Sequence, residues 1–76
     1  MIVDIRDTSA WKKDGIDGSV CIPLRHIKDN LDMLSSQDSV VFVCHSGLHS
    51  RKLAHKYRDL FNCYGGRISA HRLIVS

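Results

Sequence analysis

Residues Val40–Arg51 read VVFVCHSGLHSR, and the rest of the chain falls into place around them. Val40, Val41, Phe42 and Val43 form an apolar run without polar alternation, the pattern of a strand buried on both faces. The run stops at Cys44. His45, Ser46, Gly47, Leu48 and His49 then make a loop of small and polar residues. From Ser50 the spacing turns helical, with Leu53, Ala54, Tyr57, Leu60 and Phe61 inside an arc of roughly 120°. Strand, tight loop and helix follow one another, with a cysteine where the strand ends. Backbone N–H groups at a helix start have no intrahelical partner and attract anions. The same field favours thiolate over thiol, and thiolate is the nucleophile. These residues predict an activated Cys44 facing an anionic substrate or product.

Around that cysteine each loop residue has an expected part. Gly47 allows a backbone twist that aims N–H groups inward. Ser46 and Ser50 can donate hydrogen bonds to sulfur, and Ser50 reads equally well as the helix N-cap. His49 can supply a pH-dependent positive charge to the substrate; His45 can do the same or face solvent.

Working outward, Met1–Asp4 reads as a short strand with Asp4 and Arg6 at its polar end. Thr8 or Ser9 can cap a helical turn through Trp11, Lys12 and Lys13, with Trp11 as a lid over the core. Asp14–Ser19 holds Asp-Gly-type turn chemistry. Val20-Cys21-Ile22 reads as a short buried strand ended by Pro23. Leu24, Ile27, Leu31 and Leu34 mark a helical face, and residues 35–38 a loop. Phe61–Tyr64 suggests another strand, Gly65-Gly66 a forced turn, and Leu73-Ile74-Val75 a terminal strand or helix end. Strands alternating with helices imply an α/β fold, a small parallel sheet flanked by helices. Ligands in such sheets bind beyond the carboxyl ends of the strands, where Cys44 lies.

Composition sets the outer limits. With 76 residues, 43% of them hydrophobic and 25% charged, residues 1–76 are expected to form one small domain with little stability to spare. The net charge of +3 mildly favours anionic partners. No apolar run is long enough to predict a membrane span, and the first residues lack the pattern of a secretory signal. Three cysteines without disulfide spacing fit a reducing compartment, so a cytoplasmic protein is expected. Five histidines and three cysteines raise a zinc reading, but no Cys-x-x-Cys or paired-ligand spacing supports it. The basic helix face lacks the aromatic interleaving of a nucleic-acid surface.

The loop Cys44-His45-Ser46-Gly47-Leu48-His49-Ser50 resembles the active-site loop of rhodanese-like sulfurtransferases: Cys, two residues, Gly, two residues, then Ser or Thr at a helix start. Three further pieces match in order. Val3-Asp4-Ile5-Arg6 is similar to the family's early Asp-x-Arg strand end. Gly15-Ile16-Asp17-Gly18-Ser19-Val20, followed by Cys21-Ile22-Pro23, is similar to its "GHIPGA…IP" segment, with Gly15 in place of the usual His and Asp17 in place of the usual Pro. Tyr64-Gly65-Gly66 stands where the family carries a Gly-Gly pair. The likeness covers about residues 2–66.

The resemblance implies a rhodanese-like domain and a sulfurtransferase. Cys44 would carry a persulfide, and His45, Ser46, Gly47, Leu48, His49 and Ser50 would bind the substrate. The donor would be thiosulfate or a persulfide and the acceptor a thiol or another thiophile, with no metal and no organic cofactor. A domain shortened at both ends is expected, as in a remnant of the fusions to coenzyme A-disulfide reductases. Self-association or a partner protein would then cover an exposed edge, with Arg67–Ser76 as the contact. Two other classes share the fold. One is a non-catalytic interaction module. The other is a phosphatase or arsenate reductase, whose Arg follows Cys by six positions; here that position is Ser50, and Arg51 comes one later. Cys21 reads as structural. Cys63 reads as a core thiol, or alternatively as a resolving thiol for Cys44.

Overall fold

A computed structural model of the protein describes residues 1–70. Ile2–Asp4 forms β1, Thr8–Asp14 α1 and Val20–Cys21 β2. A 3-10 stretch, Leu24–Asn30, leads into α2, Leu31–Ser35. Val40–Cys44 forms β3, Leu48–Tyr57 α3 and Cys63–Arg67 β4. The four strands make one parallel sheet in the order β2-β1-β3-β4. This is the α/β architecture that the alternation of patterns predicts.

The central position of β3 explains its lack of alternation. Val40, Phe42 and Cys44 face a cluster that includes Ile27, Leu34, Leu53, Ala54, Tyr57, Phe61 and Cys63. Val43 faces the opposite cluster with Ile16 and Ile68, against which Ile2 and Val41 pack. Phe42 is wholly buried and meets Phe61 edge-on, ring centroids 6.3 Å apart. A side chain of that kind contributes about 1.5–3 kcal/mol through burial. Trp11 is half-buried and donates from its indole N–H to Ser19 Oγ at 3.0 Å, which ties α1 to the following turn.

Several local expectations need correction. The α3 helix starts at Leu48, two residues before Ser50, and Gly47 is its N-cap. Ser50 therefore sits inside the first turn. Asp7, not Thr8 or Ser9, precedes α1, and its side chain makes no capping hydrogen bond. Val20 is exposed because β2 is an edge strand; of Val20, Cys21 and Ile22 only Ile22 is buried. Leu24–Asn30 winds as a 3-10 helix and not as an α-helix; Leu24, at its first position, is exposed, while Ile27 and Leu34 are buried. Leu60 is 65% exposed, since α3 ends at Tyr57 and the helical arc no longer applies to it. The fourth strand is Cys63–Arg67, two or three residues later than Phe61–Tyr64.

Gly65-Gly66 is not a turn. Both lie inside β4, opposite Phe42 and Val43, and neither has positive φ. Glycine is needed at 65 because a Cβ there would overlap the Ser50 carbonyl and come within 2.7 Å of Arg51 N. The missing side chain lets the first turn of α3 lie directly on the sheet. Gly65→Ala is expected to destabilise the protein by about 1–3 kcal/mol, because the overlapping atoms are backbone and cannot swing away. A lowered urea midpoint at unchanged m-value is the readout. The expectations for Leu73-Ile74-Val75, and for all but the first residues of the Arg67–Ser76 contact, lie outside the described residues. No helix among the described residues is long and apolar enough to cross a membrane.

Candidate functional site

Cys44 is the last residue of β3, and its neighbours place backbone and hydroxyl groups on its sulfur. The chain turns at Gly47 with φ 82°, in the left-handed region that favours glycine. This turn sends the Gly47 N–H to Cys44 Sγ at 3.2 Å. A Cβ at Gly47 would also press on Arg67, 3.0 Å from both its N and its Cγ. The expected twist at Gly47 is present, and a side chain is excluded twice over.

Ser50 is fully buried beneath the sulfur. Its Oγ lies 3.5 Å from Cys44 Sγ, 2.8 Å from the Gly66 carbonyl and 3.1 Å from the Gly47 carbonyl. A hydroxyl has one proton to give. With a thiol, Cys44 donates to Ser50 Oγ while the hydroxyl donates to a carbonyl. With a thiolate, the hydroxyl proton can turn to sulfur. Burial pushes the Cys44 thiol up. The Ser50 hydroxyl and the N–H groups of Ser50, Gly47 and His49 outweigh that burial and bring it below the ordinary thiol value.

The opposite balance holds at Cys63. Burial raises its pKa, with Arg58 opposing weakly, and its S–H donates to the Ala54 carbonyl at 3.3 Å. Cys63 pairs with Val40 and Arg67 with Cys44, so Cys63 stands at the far end of the strand pair, roughly 13 Å from Cys44 along the strand. It cannot attack a sulfur on Cys44 without unfolding. Cys21 lies on β2, with β1 between it and β3.

A cleft of about 330 Å³ opens above Cys44, lined by Ile5, Arg6, Leu24, Cys44, His45, Ser46 and His49. Ser46 Oγ accepts the Leu48 N–H at 3.2 Å, which satisfies one free donor of the helix start. Leu48 points away, 55% exposed and outside the cleft lining. Arg51 lines a different groove, beside β4, so the guanidinium that a phosphatase reading would need does not line the Cys44 cleft. Among the described residues no three His, Cys, Asp or Glu side chains converge as a metal-binding group.

Ile5, Arg6 and Leu24 were not among the site residues expected from sequence. Parallel pairing puts the end of β1 beside the end of β3, with Asp4 opposite Val43. The Ile5 N–H donates to the Val43 carbonyl at 3.1 Å, and the Leu24 N–H to the Ile5 carbonyl at 3.0 Å. The rule that ligands lie beyond strand carboxyl ends, applied to β1 as well as β3, would have pointed to residues 5 and 6. Arg6 is fixed by wholly buried Asp4, with contacts of 3.0 Å from Nε and 2.8 Å from a terminal nitrogen. Its other terminal nitrogen meets Asp14 at 2.9 Å. The Asp4 hydrogen bond raises the Arg6 pKa against desolvation, and Asp14 raises it further.

The two shifts predict an order of reactivity. Alkylation of Cys44 should show its inflection below the ordinary thiol value of about 8.5, and that of Cys63 above it. The linkage signs are opposite. The contribution of Cys44 to stability is full above its unfolded pKa and is lost as pH falls through the depressed folded value. That of Cys63 is full below its unfolded pKa and is lost as pH rises through the raised one. Peptide-resolved alkylation against pH measures both; an inflection for Cys44 at or above the reference removes the anion cradle.

Comparison with known proteins bears on what this loop belongs to. A family model described as Rhodanese-like domain matches residues 1–70. "Putative sulfur carrier protein YrkF" of Bacillus subtilis (strain 168) is 34% identical over 53 residues, which is 70% of this chain and 29% of that protein. The chain thus matches less than a third of that relative's length. The crystal structure of a rhodanese-like domain protein from Staphylococcus aureus superposes with a TM-score of 0.79 at 23% identity, covering 95% of this chain and 72% of that one. SSP1007 from Staphylococcus saprophyticus superposes with a TM-score of 0.73 at 26% identity, covering 86% of this chain and 69% of that one. The match spans the sheet, the Cys44 loop and α3 together, and the chain belongs to the rhodanese-like domain family.

Proposed function

We propose that the protein is a sulfurtransferase that carries sulfane sulfur as a persulfide on Cys44. The observation that supports this most directly is the Gly47 N–H on Cys44 Sγ at 3.2 Å, at the start of α3, with the thiol held below its ordinary pKa. In the first half-reaction the Cys44 thiolate attacks the outer sulfur of thiosulfate or of a thiol persulfide. The new S–S bond forms as the old one breaks, and sulfite or a thiolate leaves with the electron pair. The loop N–H groups then stabilise the persulfide anion. In the second half-reaction an acceptor thiolate, or cyanide, attacks the outer sulfur and releases the Cys44 thiolate. Two covalent half-reactions give ping-pong kinetics.

His45, Ser46 and His49 line the cleft where donor and acceptor would meet, and either histidine, when protonated, attracts an anionic donor. The Leu48 N–H is taken up by Ser46 Oγ, which braces the loop, and Ser50 supports the sulfur from below. The name of the Bacillus relative, a sulfur carrier, fits a protein thiol or persulfide as one of the partners. The test is intact mass after incubation with thiosulfate. One added sulfur, lost on addition of cyanide, is expected. An unchanged mass with Cys44 still alkylating at depressed pH would favour the interaction-module reading instead.

A further inference from the structure

Leu24 belongs to two cavities. It lines the Cys44 cleft together with Ile5 and Arg6, and the same three residues line a second cavity of about 550 Å³, bounded further by Asp7, Ser9, Ala10 and Arg25. The two spaces share that wall. On it Leu24 is a large apolar side chain 41% exposed, its backbone N–H held by the Ile5 carbonyl at 3.0 Å. The guanidinium on the same wall is already engaged, since Arg6 meets Asp4 at 2.8 Å and Asp14 at 2.9 Å. Among the described residues lining the cleft, the other groups able to carry a positive charge are His45 and His49.

Thiosulfate suits such a wall poorly. It is a small dianion with no carbon to bury on Ile5 or Leu24, and a dianion leaves water readily only where unpaired cations replace its hydration. A cleft of about 330 Å³ falls instead within the range of about 300–1,000 Å³ that holds organic ligands. Given sulfur transfer at Cys44 as proposed above, we propose that the preferred donor is an organic hydropersulfide, R–S–S–H. Its apolar carbon stem lies on Ile5 and Leu24 and runs on toward the second cavity, and Leu24 sets the preference over thiosulfate. The Cys44 thiolate attacks the outer sulfur, and the bond between the two donor sulfurs breaks. R–S⁻ leaves with the electron pair, and the proton stays on the transferred sulfur, giving Cys44–S–S–H. Neither an oxidant nor a reductant is consumed. Each methylene laid on Leu24 should raise the loading rate about two- to fourfold.

The test offers the whole chain the hydropersulfides of ethyl, butyl and hexyl thiols, and thiosulfate, and follows sulfur loading by intact mass. Each second-order rate constant is divided by that of the same donor with free cysteine, which removes the donor's own reactivity. The ratio should rise about tenfold or more from ethyl to hexyl and be lowest for thiosulfate. Leu24→Met should keep the rise, whereas Leu24→Asn should flatten it to under about threefold. Leu24→Lys supplies the missing cation and should raise the thiosulfate ratio about fivefold or more, an effect weakened by salt. A flat series in the unaltered protein, a rise that persists in Leu24→Asn, or a thiosulfate ratio above the butyl one would overturn the proposal and leave sulfur transfer at Cys44 standing. Loading by none of the donors would overturn both.

Discussion

Replacing Cys44 with Ser is expected to lower sulfur transfer from thiosulfate to cyanide by at least about a thousandfold, since the nucleophile itself is removed. A serine hydroxyl in this loop is un-ionised near neutral pH and forms no S–S bond. The fold should survive, because Cys44 is a small buried side chain whose one hydrogen-bond partner through its S–H is the Ser50 hydroxyl at 3.5 Å. Cys63→Ser and Cys21→Ser should keep most of the activity. Cys63 is roughly 13 Å away along the strand pair, and Cys21 lies on the edge strand beyond β1. Thiocyanate formation by the purified variants measures all three. Undiminished turnover by the Cys44 variant would end the sulfurtransferase reading. Loss in the Cys63 variant alone would mean that a second thiol takes part by a route the strand pairing does not provide.

The largest effect on stability should come from Asp4→Ala. Asp4 has no solvent exposure, and its carboxylate accepts from the Arg6 backbone N–H at 2.9 Å as well as from the guanidinium. Removing it leaves a guanidinium only 15% exposed with one remaining carboxylate partner, Asp14. Breaking one side of a buried pair costs about 3–5 kcal/mol, because the surviving charge stays desolvated. Against a total of about 5–15 kcal/mol for a typical protein, and less for a short chain, that loss should leave a sizeable unfolded fraction in water. Asp14→Ala removes the half-exposed partner and should cost under about 1 kcal/mol. Urea unfolding of the two variants side by side checks the contrast. Similar small losses would show that Asp4 and Arg6 contribute no more than a surface pair. Arg6 also lines the Cys44 cleft, so the Asp4 variant should lose sulfur transfer in whatever fraction remains folded.

The parts legible in the sequence were those with a local physical cause. Val40–Val43 could be read as a central strand because every position lacks a polar group, which only burial on both faces allows. Gly47 could be read because the loop needs a residue with φ above zero, and here φ is 82°. The place of Cys44 could be read because an apolar run that stops before a glycine loop and a helical spacing marks a strand end, and Cys44 ends β3. The errors share a cause as well. Gly65-Gly66 suggested a turn because glycine serves both positive φ and the absence of a Cβ, and the chain alone does not distinguish them. The absence of a Cβ is what matters at 65, and it matters only because the backbone of Ser50 lies against it. Leu60 fitted the helical arc but fell outside the helix, which ends at Tyr57, whose ring stacks on Phe61.

By itself the sequence determined the parallel α/β alternation, the strand–loop–helix around Cys44 and the family likeness, since each rests on spacing within a few residues. Only the tertiary structure decided that Ile5, Arg6 and Leu24 share the Cys44 cleft. It alone placed Ser50 under the sulfur instead of at the cap, Cys63 at the far end of the sheet, and Arg51 in a separate groove beside β4. Those relations join residues distant in the chain through strand order and register, which no local pattern encodes.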